Sequence, residues 1–276
     1  LHIRQARTAS NAGNYEEAET AWNTVLEAAS GYVLGDIGLA RIELHNDQYR
    51  EAMTRLKKLR AYELYADAFE SWRDEYVRDH FVWIFLIAAG AAAAAVCAVK
   101  CFRRSRLHAR LGTSEVYRGY RYGSYVMLHP FDGFWDLKHE KRGNLRSALW
   151  IIGLFFLLYA VRLQFGGYIA TGVTADEVNV LFRVLMLLLP LLFFVIANWC
   201  FTTLMDGKGT MKDIFTVIGY ALVPLGIFKI IAAIVSQVMS LEEDIYLYLL
   251  DYCGIIWFAI ILVVGIMTVH QYTLKK

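Results

Sequence analysis

The stretch of sequence that decides the fold is Val178–Met205, which reads VNVLFRVLMLLLPLLFFVIANWCFTTLM and carries a single charged residue, Arg183. A helix rises about 1.5 Å per residue, so about 20 helical residues cross the hydrocarbon core of a bilayer, which is about 30 Å thick. An apolar run longer than this, with one charge near its start, predicts a helix that spans a membrane.

Four more stretches of the same character flank this one: Phe81–Val99, Ala148–Tyr168, Ile214–Ser236 and Ile245–Val269. The whole chain is 57% hydrophobic and 20% charged, whereas a soluble domain averages about 45–50% apolar and about 25% charged. A buried helix of a soluble protein is the alternative for any single stretch. Five such stretches in 276 residues predict an all-α, polytopic helical membrane bundle and argue against a soluble enzyme or a disordered chain.

Charged residues alternate between the loops that join the predicted spans. Residues 100–147 hold 11 Lys and Arg against 4 Asp and Glu, the loop 171–177 holds no Lys or Arg, and the loop 237–244 is acidic. Because cytoplasmic loops carry the excess of Lys and Arg, we expect residues 100–147 in the cytoplasm and residues 1–80 outside it. Residue 1 is Leu, and an exoplasmic start needs a signal sequence or an upstream span, so we expect further sequence upstream.

Residues 1–80 contain an internal repeat. Gly13-Asn14-Tyr15-Glu16-Glu17-Ala18 aligns without gaps with Asp47-Gln48-Tyr49-Arg50-Glu51-Ala52. A helix–turn–helix period of about 34 residues is that of the tetratricopeptide family, which residues 1–62 resemble. The resemblance implies a protein-binding surface, with Tyr15, Ala18, Tyr49 and Ala52 as candidate partner-binding residues. A plain pair of helical hairpins with coincidental spacing is the alternative.

The predicted span 81–99 is unusually rich in alanine. Every residue from Ala88 to Ala95 is Ala except Gly90, and Gly90 with Ala94 forms a small-xxx-small pattern that lets helix backbones approach closely. We expect this face to pack against a membrane protein complex, for which the permease subunits of a transporter are a reasonable class. Packing within the chain's own bundle is the alternative.

The segment 100–147 begins with a cluster of cations: Lys100, Arg103, Arg104, Arg106 and Arg110. Such a cluster beside a span attracts anionic lipid headgroups by about 1 kcal/mol per residue, so anionic lipid is an expected partner and nucleic acid is not. Farther along, Pro130 and the aromatic residues Phe131, Phe134 and Trp135 predict a short element that lies in the plane of the membrane interface.

Three motifs resemble the bacterial branch of the Yip (Ypt-interacting protein) membrane-domain family. They are His129-Pro130-Phe131-Asp132-Gly133-Phe134-Trp135-Asp136-Leu137-Lys138, the loop Asp206-Gly207-Lys208-Gly209 and Gly219-Tyr220-Ala221-Leu222-Val223-Pro224. The resemblance covers about residues 122–276. It implies a helical membrane bundle without known catalysis in a bacterial cell membrane, with residues 148–276 as its four-helix domain. Eukaryotic members bind Rab-type GTPases, but only Asp136-Leu137 remains of their Asp-Leu-Tyr-Gly-Pro motif, which argues against that activity here.

Four ionisable residues fall inside the predicted spans: Arg162, Arg183, Lys229 and Asp251. Counting residues from the span ends places all four roughly 7–10 Å below the outer surface, in one layer. We expect Asp251 to pair with Arg183 or Arg162 and the remaining cations to extend toward the surface. An outward-facing pocket for an anion or a lipid headgroup is the functional interpretation, and a structural polar layer is the alternative.

The sequence shows no catalytic, cofactor-binding or metal-binding motif. The phosphate-binding, zinc-protease and serine-hydrolase patterns are missing, and the four Cys lie in or beside spans without ligand spacing. We therefore expect no enzyme, cofactor or metal, but a scaffold or accessory subunit that docks proteins through its exoplasmic repeats. A small transporter or lipid-handling protein that uses the charged layer is the second hypothesis, and a GTPase-binding regulator of membrane traffic is the third.

Overall fold

The computed structural model describes residues 2–105, 114–140 and 143–272, and it divides into two compact units, Leu1–Ala93 and Ala94–Lys276. Every regular element of the described residues is a helix. Arg106 and Arg110 of the expected cation cluster lie outside the described residues.

Four short helices form most of the first unit: α1 (His2–Asn11), α2 (Tyr15–Ala28), α3 (Val33–His45) and α4 (Tyr49–Leu59). Helix α1 packs on α2, α3 packs on α4, and α2 joins the two pairs. Each pair turns at a residue in the left-handed region, Gly13 with φ 77° and Asp47 with φ 59°. These two residues occupy the same position of the aligned segments, so the sequence repeat coincides with a repeat of local geometry.

The next helix, α5 (Tyr62–Arg104), is continuous for 43 residues and contains the predicted span 81–99. The amphipathic segment that precedes the span therefore runs into it without a break, since no Gly or Pro interrupts residues 62–89.

Among the described residues of the second unit, seven helices follow: α6 (Glu115–Leu128), α7 (Pro130–His139), α8 (Leu145–Phe165), α9 (Tyr168–Thr171), α10 (Val180–Leu204), α11 (Met211–Val235) and α12 (Asp244–His270). Helices α5, α8, α10, α11 and α12 are long and apolar enough to cross a membrane, which confirms the prediction of five apolar spans.

Helix α11 is the centre of the second unit and packs along both α8 and α12. Of its most apolar 18 residues 61% are buried, compared with 6% for α10. Small residues permit this close packing: a Cβ atom on Gly219 would lie 2.8 Å from the backbone oxygen of Ala148 in α8. The motif Gly219–Pro224 is thus a packing surface.

Helices α6 and α7 form an antiparallel hairpin that lies alongside the spans. We call the end of the unit where α8 and α11 begin and α12 ends the basic end. Glu115, at the start of α6, lies there beside Asn144 and Arg146. The hairpin then turns at His129, and α7 returns so that Lys138 reaches Asp213 near the start of α11.

The tip of this hairpin lies deep along α12. The indole nitrogen of Trp257 donates a hydrogen bond of 3.2 Å to the carbonyl oxygen of Met127. The helix rise from Trp257 to His270, at the end of α12, is about 20 Å. The sequence predicted that this segment lies in the plane of the membrane interface, and the structure corrects that prediction. The segment packs into the helical core through Phe134 and Leu137, while Phe131 and Trp135 stay exposed.

Candidate functional site

A cluster of three charged side chains joins the three central helices of the second unit. The carboxylate of Asp251 in α12 accepts a hydrogen bond of 2.7 Å from Nη2 of Arg162 in α8 and one of 3.0 Å from Nζ of Lys229 in α11. All three side chains are mostly buried, with between 16% and 24% of their surface exposed. We call these residues the charged triad.

Helix geometry explains why these three residues meet. Helices α8 and α11 begin at the basic end and carry Arg162 and Lys229 in their second halves, whereas α12 ends there and carries Asp251 in its first half. At a rise of about 1.5 Å per residue, each of the three lies roughly 26–29 Å from the basic end. Three helices packed side by side therefore bring the charges to one level.

Arg183 is the fourth residue of the expected layer, and it does not join the triad. It is exposed near the start of α10, and no ion pair within the described ranges includes it. Of the two cations expected to pair with Asp251, Arg162 does so and Arg183 does not. Lys229 is the second cation that pairs with Asp251. Only 6% of the most apolar 18 residues of α10 are buried, so most of its side chains face outward.

The charged triad carries two cations and one anion. Nη1 of Arg162 is buried and has no hydrogen-bond partner among the residues that the structure describes. A buried donor without a partner costs about 1–3 kcal/mol, and an anionic or neutral oxygen acceptor would remove that cost. The geometry therefore suits the binding of one more acceptor group.

The residues predicted to bind partners in the first unit occupy two different environments. Ala18 and Ala52 have no exposed surface, so they pack within the helix pairs and present no contact surface to a partner. Tyr15 stacks on His45 with ring centroids 3.8 Å apart. Tyr49 donates a hydrogen bond of 2.8 Å to Asp47, which raises the pKa of its hydroxyl.

A salt-bridge network between α3 and α4 was missed by the sequence analysis. The guanidinium of Arg55 in α4 donates to Asp36 at 2.8 Å and to Glu43 at 2.7 Å, both in α3. The hydrogen bonds to Glu43 are the largest cause of the raised pKa of Arg55. The seven-residue separation of Asp36 and Glu43 places them on one helix face, and that spacing was the available signal.

The small residues of the first span are exposed. Gly90 and Ala94 are exposed, and a Cβ atom added to Gly90 would meet no atom within 4 Å. Their open surface leaves room for another helix. That a helix of a membrane protein complex packs there stays a prediction.

The basic end holds a second set of polar contacts, which joins two of the motifs that carry the family resemblance. Nζ of Lys138 forms a salt bridge of 2.7 Å with Asp213 and also donates to the carbonyl oxygen of Lys208. The amide of Gly209 donates to Nδ1 of His270, which is buried. A Cβ atom on Gly209 would lie 2.7 Å from that imidazole, so the glycine permits the close approach of loop and ring.

Metal binding finds no support within the described part of the chain. It contains no group of three or more His, Cys, Asp or Glu that could hold a metal ion. The four cysteines are free thiols on exposed positions.

Comparisons with known proteins give one family match. Residues 124–276 match the model of the Yip1 domain. No curated protein and no solved structure matches the chain. The match begins within α6 and includes the hairpin, the loop at the basic end and the four spans that follow.

Proposed function

Because the matched segment covers more than half of the chain, the protein belongs to the Yip1 domain family, and we propose that it is a non-catalytic scaffold or accessory subunit of a membrane protein complex. In this proposal the first unit is a tetratricopeptide-like pair of repeats that docks a protein partner outside the cytoplasm of a bacterial cell. The span 81–99 packs against the membrane part of the same complex, for which transporter permease subunits are the reasonable class.

One observation supports this role above the others. The two helix pairs of the first unit repeat in sequence, in the left-handed turn residues Gly13 and Asp47, and in the fully buried alanines Ala18 and Ala52. Repeats of this kind bury their faces on neighbouring repeats, and about three or more are usually needed for stability. The start of α5 packs on the second pair through Leu64 and Ala68, but two pairs remain fewer than this number, which supports docking of another protein or another repeat.

Exposed apolar residues of α3 are candidates for that docking face. Val33 and Leu34, at the start of α3, are more than half exposed. A partner that covers this edge removes about 25 cal/mol of unfavourable hydration per Å² of apolar surface. These two residues are therefore better candidates for partner contacts than the buried alanines.

The experiment compares the full chain with the variants Val33→Asp and Leu34→Asp after purification in mild detergent. We expect the full chain in a complex with a stoichiometric partner, and we expect both variants to lose that partner while the thermal melt of the chain stays unchanged. Glu19→Lys, at an exposed position of α2, is the control for altered surface charge. Recovery of the full chain only as a monomer would contradict the docking role.

A second candidate function rests on the charged triad. The unpartnered Nη1 of Arg162 supports a small transporter or lipid-handling protein that binds an anionic group in the leaflet opposite to the basic end. Substrate flux into proteoliposomes that contain this chain alone would favour this function over the scaffold. Absence of flux for anionic substrates and of lipid transfer, with the triad intact, would argue against it.

A further inference from the structure

We propose that a pocket between the end of α5 and the start of α6 binds the phosphate group of an anionic membrane lipid. The pocket has a volume of about 570 Å³ and lies within the second unit. Its lining residues are Ala98, Val99, Phe102, Arg103, Tyr117 and Arg121. Ligand pockets typically measure about 300–1,000 Å³, so the volume suits a lipid headgroup with its glycerol backbone.

Two short helical stripes build the pocket. Val99 and Arg103 are four residues apart in α5, and Tyr117 and Arg121 are four residues apart in α6. Residues at this spacing lie on one face of a helix. Each helix therefore contributes one turn that ends in an arginine, and the space between the two turns is open.

The charge of the pocket is positive and unbalanced. Among the lining residues that the structure describes, two are arginines and none is acidic. No hydrogen bond or ion pair from either guanidinium is found within the described ranges, although Arg55, Arg73, Arg146 and Arg162 all form ion pairs. Guanidinium groups bind phosphate oxygens through two parallel hydrogen bonds, so a phosphate is the anion that matches two arginines across an open space.

The apolar side of the pocket identifies the source of that phosphate as a lipid. Val99 is the last residue of the predicted span, and Arg103 is about 6 Å farther along the helix axis. Lipid phosphates lie just outside the hydrocarbon core, at this level. Ala98, Val99 and Phe102 would contact the glycerol and the first acyl carbons, whereas a soluble phosphate has no group for them to contact.

Binding of a phosphate in the pocket can be distinguished from general attraction of anionic lipid to the cation cluster. Arg104 is the neighbour of Arg103 in α5 and Arg118 lies in α6 between Tyr117 and Arg121, but neither lines the pocket. Both are arginines on the same two helices. Diffuse attraction to an anionic surface treats all four arginines alike, whereas a built site distinguishes Arg103 and Arg121 from the other two.

The experiment titrates the purified full chain in detergent with phosphatidylglycerol and counts retained lipid by native mass spectrometry. We expect Arg103→Gln and Arg121→Gln to weaken retention by about five-fold each. Arg104→Gln and Arg118→Gln should stay within about two-fold of the unchanged chain, as expected for a charge outside the pocket. Arg121→Lys keeps the positive charge and loses the planar guanidinium, so its lipid retention should lie between the values of the two groups of variants. Thermal melts without lipid check that each variant is folded, and melts of the unchanged chain with phosphatidylglycerol or with inorganic phosphate compare stabilisation by the two ligands.

Three results would overturn the proposal. The first is equal weakening by all four glutamine variants, because that identifies diffuse surface charge. The second is unchanged retention in the double variant Arg103→Gln and Arg121→Gln. The third is stabilisation by inorganic phosphate that equals stabilisation by phosphatidylglycerol, because that identifies a soluble ligand. None of these results depends on the docking role proposed for the first unit.

Discussion

At the scale of residues, Asp251 joins three helices through one carboxylate. It accepts hydrogen bonds from Arg162 of α8 and Lys229 of α11. All three residues lie in the half of the spans away from the basic end, and the single negative charge of Asp251 neutralises only one of the two positive charges. Charges at this depth are costly unless they are paired. The same carboxylate therefore stabilises the helix packing and leaves a net positive charge beside the unpartnered Nη1 of Arg162.

Asp251→Asn should lower the thermal stability of the protein in detergent. Removing one partner of a buried ion pair costs about 3–5 kcal/mol, and the partial exposure of these side chains reduces the expected loss to about 2–3 kcal/mol. Glu242→Gln, a carboxylate in the loop before α12, is the control and should leave the melting temperature unchanged.

A binding or transport assay on the same Asp251→Asn variant separates the two interpretations of the triad. If the stability falls and ligand handling is unchanged, the layer is structural. If the melting temperature of Asp251→Asn equals that of Glu242→Gln, the triad does not hold the helices together.

Gly219→Ala should destabilise the packing of α11 on α8. The added methyl group would lie 2.8 Å from the Cα and the carbonyl oxygen of Ala148, and backbone atoms cannot move aside as a side chain can. Overpacking of this kind costs about 1–3 kcal/mol. The matched control is Gly153→Ala in α8, where a Cβ atom would meet nothing within 4 Å. Equal melting temperatures for the two variants would show that α8 and α11 do not approach this closely.

At the scale of elements, the α6–α7 hairpin enters and leaves the helical bundle from the basic end. Non-helical backbone at membrane depth is tolerated only where its polar groups are satisfied. The turn meets this condition because the amide of His129 donates to the carbonyl oxygen of Tyr125 and the amide of Gly133 donates to the carbonyl oxygen of His129. Trp257 also donates to the carbonyl oxygen of Met127, near the end of α6. A tryptophan in the middle of a span, away from the interfaces where the residue is enriched, was the signal in the sequence.

A cysteine placed at the hairpin tip should be protected from water-soluble reagents. In a background without the four native cysteines, Leu128→Cys in liposomes should not react with a membrane-impermeant maleimide, because the tip lies about 20 Å along α12 from the basic end. His139→Cys, an exposed position at the end of α7, should react. Equal labelling at both positions would place the hairpin at the membrane surface, as the sequence alone suggested.

At the scale of the whole molecule, the chain combines a helical unit of acidic composition with a membrane unit. Residues 1–80 carry 10 Lys and Arg against 14 Asp and Glu, whereas residues 100–147 carry 11 against 4. The near-neutral net charge of +2 conceals this division. By the positive-inside rule, we expect the two segments on opposite sides of the membrane.

This orientation predicts opposite accessibility of two cysteines in intact cells. Glu19→Cys, exposed in α2, should react with an impermeant maleimide without permeabilisation, and His139→Cys should react only after it. The reverse result would place residues 1–80 in the cytoplasm and would move the proposed docking surface there. Labelling of both cysteines after permeabilisation is the control that both thiols are present and reactive.

The sequence by itself determined the helical class, the five spans and their order, and the internal repeat of the first unit. Each follows from hydropathy or spacing within one segment, which acts locally. Only the tertiary structure decided that Lys229 shares Asp251 with Arg162 while Arg183 stays outside, that the hairpin lies deep along α12, and that Arg103 and Arg121 border one pocket. The triad and the hairpin contact join residues between 22 and 130 positions apart. Their pairing depends on the rotation and depth of each packed helix, which the pattern of a single segment does not encode.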